Sequence, residues 1–368
     1  MQFAPQNYAA QLALKVNTVS ALLRPFNAPA LTVFHSQPQA FRMRAEFRLW
    51  HDRSDTPKHC FYAMFDPNNP REPIRIDQFP IACDAIVQRM QPLLSAINAS
   101  DILSRKLFQV EFLASRSDDV VISLVYHRQL DEAWKNAAIG LEQQLNAAII
   151  GRARKQRLLL SRDHVTEVLC AGRKTYRFEQ CENSFTQPNA AINEAMINWV
   201  LQHCATISGS TPEHDLLELY CGNGNFTLPL ASVFRSALGT EISKTSIASA
   251  RRNATTNCVN NIAFVRMSSA ETASALRGER EFRRLQSIDI SSYNFRTVLV
   301  DPPRAGLDAA TLDLVSGFDN IVYISCNPQT LAANLASLAR SHAISAAAAF
   351  DQFPYTPHCE AGVILHRK

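Results

Sequence analysis

Cys-x-x-Cys occurs nowhere in the 368 residues; the nine cysteines are scattered, and the closest pair, Cys170 and Cys181, are 11 positions apart. That spacing disfavours structural zinc and iron–sulfur clusters, so no metal is expected. An odd set of free thiols fits a reducing, cytoplasmic setting. No apolar run approaches the roughly 18 residues of a membrane helix, so no membrane association is expected. The opening Met-Gln-Phe-Ala-Pro-Gln lacks the basic-then-apolar layout of a signal peptide. Charge is sparse as well: 19% of residues are charged, and a net +4 decides nothing globally. Its placement says more than its sum. Internal repeats and low-complexity tracts are also missing, and the length allows two or three domains.

What is present divides near residue 180. From Tyr8 to about Arg24, Leu12, Val16, Val19 and Leu23 fall at helical spacing. The expectation is a packing helix with no direct role in chemistry. Phe41 to His51 alternates, with Phe41, Met43, Ala45, Phe47 and Leu49 on one face and Arg42, Arg44, Glu46, Arg48 and Trp50 on the other. The arginine row is either a solvated face or a track for phosphates. Strands over His59–Phe65, Pro73–Asp77, Leu107–Ala114 and Val120–Tyr126, with a helix from Cys83 to Ile97, show no βαβ rhythm. Residues 1–180 therefore read as an α+β domain on an antiparallel sheet. Phe108 beside Arg105 and Lys106, and His127-Arg128 at a strand end, are either core and edge residues or an aromatic–cationic RNA surface.

From residue 181 to 368 the rhythm changes to alternating strands and helices. Strands are expected over Leu216–Tyr220, Ala237–Glu241, Ile262–Met267, Thr297–Val300 and Ile321–Ser325, with a closing pair around Phe350 and Gly362–His366. The first turn is followed by a helix to about Phe234, and Ala270–Ser291 reads as a surface excursion. The fold class is α/β, a doubly wound Rossmann-like sheet with its ligand crevice at the strand ends.

Three motifs sit at those ends. Glu218-Leu-Tyr-Cys-Gly222-Asn-Gly224-Asn225 puts two glycines in the first turn, but Thr227 stands where a dinucleotide pattern has its third glycine. Glu241 ends the second strand and can accept both hydroxyls of a ribose. S-adenosylmethionine fits this set better than NAD, and a purely structural turn is the competing reading. Asp301-Pro-Pro-Arg304 ends the fourth strand with two prolines that stop it continuing. Cys326, in Ile-Ser-Cys-Asn-Pro, ends the fifth and is either a packing thiol or a nucleophile. Carbon 5 of uracil takes a methyl group only after a thiolate adds to carbon 6, and a base must then remove the carbon-5 proton. Cys326 and Glu360 could serve, although Glu360 taken alone reads as solvated. A metal site at His358-Cys359-Glu360 is disfavoured, since three adjacent ligands rarely converge on one ion.

In these motifs the chain resembles the bacterial tRNA (uracil-5-)-methyltransferases. The resemblance runs from Arg42-Met-Arg-Ala-Glu-Phe-Arg through Glu182-Asn-Ser-Phe-Thr-Gln-Pro-Asn, Leu217 to Phe226, Asp301-Pro-Pro-Arg and Ile324-Ser-Cys-Asn-Pro to Asp351-Gln-Phe-Pro-Tyr-Thr. It implies a class I methyltransferase domain behind an RNA-binding sheet, with Cys326 as nucleophile and Glu360 as proton acceptor. Gln187, Tyr220, Asn225, Glu241 and Asp301 would hold S-adenosylmethionine, with contact to the uracil an alternative for Asp301. The tRNA T-arm, or the tRNA-like part of transfer-messenger RNA, would meet Arg42, Arg44, Arg48, Phe108, His127, Arg304 and His358, with the enzyme acting as a monomer. Related ribosomal-RNA enzymes carry an iron–sulfur cysteine cluster that this sequence lacks. Ribosomal-RNA methylation and a tRNA-folding role are the alternatives.

Overall fold

The structure is a computed structural model that describes residues 3–52, 59–66, 68–209 and 212–368. Its contacts form two compact units, one of Met1–Ser36, Leu169–Glu179 and Ala191–Lys368, the other of Gln37–Val168 and Gln180–Ala190. The expected single boundary at residue 180 is corrected by this interleaving. Helix Tyr8–Leu23 buries Val19 and Leu23 in the same core as Leu331 and Leu335, and Thr32–Phe34 pairs with His342–Phe350. Both are attachments to residues near the other end of the chain, which local periodicity does not reveal. No helix among the described residues is long and apolar enough to cross a membrane.

The larger unit is built on an eight-stranded sheet in the order Thr32–Phe34, His342–Phe350, Glu360–Arg367, Asn320–Ser325, Phe295–Val300, Asp215–Leu219, Ala237–Glu241, Ile262–Arg266. Stretches such as Val298–Val300 and Ile321–Ile324 are buried apolar runs, as expected of a parallel sheet covered on both faces. Glu360–Arg367 is the exception in direction, running antiparallel to both neighbours. Chain order reverses at Asp215–Leu219, whose neighbours are the second and fourth strands of the series. In open sheets of this kind the ligand crevice lies at the carboxyl ends beside such a reversal, where the following loops leave in opposite directions.

Local chemistry sets the helix starts. Ser243 caps Lys244–Thr256 by accepting the Ser246 N–H, and Asn327 caps Pro328–Leu338 with Pro328 at the first position, where its missing donor costs nothing. Two expectations change. The helix after the glycine turn spans only Thr227–Leu230, with Pro229 inside it, instead of reaching Phe234. The segment read as a surface excursion contains helix Ser269–Leu276, closed by a Ser268–Glu271 capping box, and buries Phe282.

The smaller unit is a seven-stranded sheet in the order Asn69–Arg75, Cys60–Asp66, Arg44–His51, Leu107–Ala114, Val120–Tyr126, Ala148–Ala153, Gln156–Leu159. It is antiparallel except where Val120–Tyr126 meets Ala148–Ala153, joined by the crossover helix Glu132–Leu145. That one parallel pair departs from the wholly antiparallel expectation. Trp134 of the crossover helix lies so close to the sheet that a Cβ on Gly151 would sit 2.4 Å from its ring.

Candidate active site

Cys326 follows the last residue of strand Asn320–Ser325, and Glu360 is the first residue of the antiparallel strand beside it. Ser325 pairs with Ala361. Cys326 is the next residue after that pair and Glu360 the one before it, and the two are close enough for the Glu360 charge to act on the Cys326 thiol. Strand reversal therefore brings together two residues that the sequence separates by 34 positions. Glu360 is 2% exposed, and its Oε2 has no hydrogen-bond partner among the described residues. Burial and the nearby Asp301 push its carboxyl well above the usual carboxylate range, against the pull of Arg304. Burial also raises Asp301, to about 7. The Cys326 thiol is raised to about 11 by burial and by the Glu360 and Asp301 charges, with Arg304 opposing. A cavity of about 280 Å³ adjoins the thiol, lined by Lys15, Thr18, Arg304, Cys326, His358 and Cys359 among others. Burial, Arg304 and Lys15 hold the His358 imidazole below its ordinary value.

The loop that carries Asp301 and Arg304 is gripped from the helix after Cys326. Asn327 Nδ2 and Thr330 Oγ1 donate to the Arg304 carbonyl at 3.1 and 3.3 Å. Asn334 Oδ1 accepts from Leu307 N–H at 2.9 Å and from the Tyr323 hydroxyl at 2.7 Å. Positions 327, 330 and 334 share one helix face, so the thiol and the Asp-Pro-Pro-Arg loop are set by one element. Nothing in the sequence pattern alone marked Thr330, Asn334 or Tyr323.

At the switch point, Tyr220, Gly222 and Gly224 all take positive φ, at 62°, 55° and 84°. A non-glycine residue held there is strained, which is typical of a turn shaped for a ligand. A Cβ on Gly222 would meet nothing within 4 Å, so space is open above the turn. Glu241 accepts from Gly222 N–H at 3.3 Å and Ser243 N–H at 2.7 Å. Tyr220 donates its hydroxyl to Ser269 at 3.0 Å, and the Asn225 amide pairs reciprocally with Asn193 at 2.8 and 2.9 Å. Glu218, 1% exposed, accepts from Thr227 Oγ1 at 2.6 Å, and burial raises its carboxyl to about 8. The residue in the third-glycine position thus serves a buried acid instead of a pyrophosphate.

In the smaller unit, three expected residues converge. The Arg48 guanidinium lies 3.8 Å from the centroid of Phe108, and the Phe108 and His127 rings are 4.2 Å apart. A bulge between Leu107 and Gln109 leaves Phe108 out of the pairing with Val120–Tyr126, which re-aims its ring. Arg42 and Arg44 are engaged instead inside the unit: Arg42 Nε donates to the Arg44 carbonyl at 2.7 Å, and Arg44 Nη1 to the Ser184 carbonyl at 2.8 Å. Gln187 belongs to this unit and is buried there. Among the described residues no cluster of three His, Cys, Asp or Glu side chains could hold a metal ion.

The pattern that defines the tRNA (Uracil-5-)-methyltransferases matches residues 7–368. The chain belongs to the tRNA (uracil-5-)-methyltransferase family. It is 50% identical over 364 residues to the tRNA/tmRNA (uracil-C(5))-methyltransferase of Aromatoleum aromaticum, covering 99% of this chain and 96% of that one. It is 51% identical over 368 residues to the protein of the same name from Pseudomonas fluorescens, covering all of both. Its fold resembles the crystal structure of Pyrococcus abyssi tRNA (uracil-54, C5)-methyltransferase in complex with S-adenosyl-L-homocysteine. The TM-score is 0.72 at 21% identity, over 98% of this chain and 83% of that one. In this family member Cys326, Asp301, Arg304, His358 and Glu360 share the carboxyl edge of the large sheet with Tyr220, Asn225 and Glu241. Arg48, Phe108 and His127 form a separate stack on the smaller sheet.

Proposed function

We propose that the chain transfers the methyl group of S-adenosylmethionine to carbon 5 of the T-loop uridine of tRNA, and to the tRNA-like part of transfer-messenger RNA. The closeness of Cys326 to Glu360, Asp301 and Arg304, all of whose charges act on its thiol, carries the reading. It supplies the two groups that carbon-5 methylation needs, a nucleophile and a base. The relatives' names support tRNA over ribosomal RNA.

The residues at the switch point fit the donor. Glu241 would accept the ribose hydroxyls, Gly222 leaves room for the chain, and Tyr220, Asn225 and Asp301 would complete the cradle. When bound, S-adenosylmethionine supplies an electrophilic methyl group. The target uridine leaves its loop to enter the cavity beside Cys326. Cys326 loses its proton to solvent, and its thiolate forms a bond to carbon 6 while the carbon-5=carbon-6 pair moves onto the carbonyl as an enolate. Arg304 offsets this negative charge. The enolate would collapse to the carbonyl as carbon 5 takes the methyl group, the broken sulfur–methyl bond leaving its pair on the donor's sulfur as a neutral thioether. Glu360 takes the carbon-5 proton, the C–H pair restores the double bond, the carbon–sulfur bond breaks and Cys326 leaves as thiolate. Arg48, Phe108 and His127 would stack against unpaired loop bases. The proposal takes the chain to act as a monomer in the cytoplasm.

Incubation with methyl-labelled donor and tRNA, transfer-messenger RNA or ribosomal RNA transcripts tests the assignment. Label recovered as 5-methyluridine from tRNA is expected. Label in ribosomal RNA alone, or in another nucleoside, overturns it.

A further inference from the structure

We propose that helix Tyr8–Leu23 is a working part of the active site and that Lys15 is a positioning residue for Glu360. The proposal rests on the reading of Glu360 as the base. Four observations carry it. Lys15 is only 5% exposed, yet its ammonium donates to Asp351 Oδ1 at 2.7 Å and to the Phe353 carbonyl at 2.8 Å. Asp351 and Phe353 begin the loop that returns the chain to Glu360. One turn earlier on the same face, Gln11 Oε1 accepts the Tyr355 N–H at 2.7 Å, and Tyr8 lies against the Tyr355 ring with centroids 6.1 Å apart. One turn later, Thr18 and Val19 join Lys15 in lining the cavity that holds Cys326. Val19 and Leu23 then share a core with Leu331 and Leu335 of the helix that follows Cys326. A single helix face therefore grips the loop before the base and the helix after the nucleophile.

Packing alone does not account for this choice of residues. A buried lysine–aspartate pair is desolvated on both sides, and apolar residues of similar size would serve stability as well or better. What the pair adds is a fixed geometry between the helix and the start of the loop. In the last step Glu360 must reach the carbon-5 proton as the electron pair of that C–H bond re-forms the ring double bond and expels the Cys326 sulfur. A loop displaced by an ångström slows that transfer while leaving thiolate addition and methyl uptake in place.

The test uses the full chain with unmodified tRNA transcript and S-adenosylmethionine, quenched during turnover. Methylated enzyme–RNA adduct is measured by denaturing electrophoresis and mass, beside kcat and KM for tRNA. With Glu360→Gln the methylated adduct should accumulate. Lys15→Met should accumulate it too, with kcat down about 10²-fold and KM little changed, and Lys15→Arg should restore release of the product. Gln11→Ala, which removes only the acceptor for Tyr355, should show the same adduct in weaker form and serves if Lys15→Met does not fold. Adduct with Glu360→Gln but none with folded Lys15→Met, or with Gln11→Ala in its place, overturns the positioning role alone. Adduct with neither overturns the base assignment and the positioning role with it.

Discussion

Replacing Glu218 by Gln should make the protein more stable at alkaline pH and flatten its pH dependence. Glu218 is buried at the end of strand Asp215–Leu219, and burial, then the Asp301 charge, raise its carboxyl from 4.5 to about 8, against the Thr227 hydrogen bond. A carboxyl raised in the folded state binds more protons there than in the unfolded chain. Its stabilising contribution is therefore complete below about pH 4.5 and is lost as pH rises through about 8. The full difference is worth at most about 5 kcal/mol, of which roughly 2 to 3 kcal/mol disappears between pH 6 and pH 9. For a unit of this size that corresponds to a fall in melting temperature of roughly 5–10 °C. The substituted amide would keep an acceptor for Thr227 and carries no charge. Thermal or urea unfolding of both proteins at pH 6 and pH 9 reads the group together with the titrations its charge couples to, those of Asp301, Cys204 and Cys221, while the remaining titrations are common to the two. Equal pH dependence in wild type and Glu218→Gln would refute the reasoning.

Gly222→Ala should cost about 1 kcal/mol of stability, the strain of a left-handed alanine, and weaken binding of S-adenosylmethionine by calorimetry more than that strain explains. Gly224→Ala should destabilise more, since its Cβ would lie 2.2 Å from Leu228 as well as at positive φ. Arg152→Met should cost about 1–3 kcal/mol, because it leaves buried Glu182 with only the Ser123 hydroxyl and the more distant Arg157, and adding Glu182→Gln should recover much of it in the same melts. Phe108→Ala should weaken tRNA affinity by about 1–3 kcal/mol, the worth of a stacked base, and leave donor affinity unchanged; unchanged RNA affinity counts against the stack. Because the Glu360 and Asp301 carboxyls and the Cys326 thiol are all raised, single-turnover methylation should accelerate from pH 6 to pH 9, and a flat or falling profile would contradict those roles.

The parallel strands and their loops were legible in the sequence because strands buried on both faces read as continuous apolar runs, with Gly222, Pro302 and Asn327 punctuating their ends. The chemistry of uracil methylation suggested Glu360 as a base for Cys326 and the family resemblance implied it, but their closeness in space was not legible. It arises from an antiparallel strand inserted beside the nucleophile strand, which buries Glu360, a residue that taken alone reads as solvated, together with Cys359. The role of the first helix was missed for a related reason. Lys15 interrupts an ordinary amphipathic pattern, and its partner Asp351 lies 336 positions away. Arg42 and Arg44 alternate with apolar residues as a solvent-facing row would, but alternation does not reveal that nearby carbonyls take up their guanidinium groups. Phe108 could be singled out, whereas the bulge that aims it depends on a neighbouring strand.

The most direct test of the account combines the enzyme, S-adenosylmethionine and tRNA that contains 5-fluorouridine. Fluorine cannot leave as a proton, so the final elimination is blocked and the carbon–sulfur bond should persist. The expected product is a covalent, methylated protein–RNA adduct that maps by mass spectrometry to the peptide bearing Cys326 and is absent from Cys326→Ala. No adduct with any RNA, or an adduct on another cysteine such as Cys359, would contradict it.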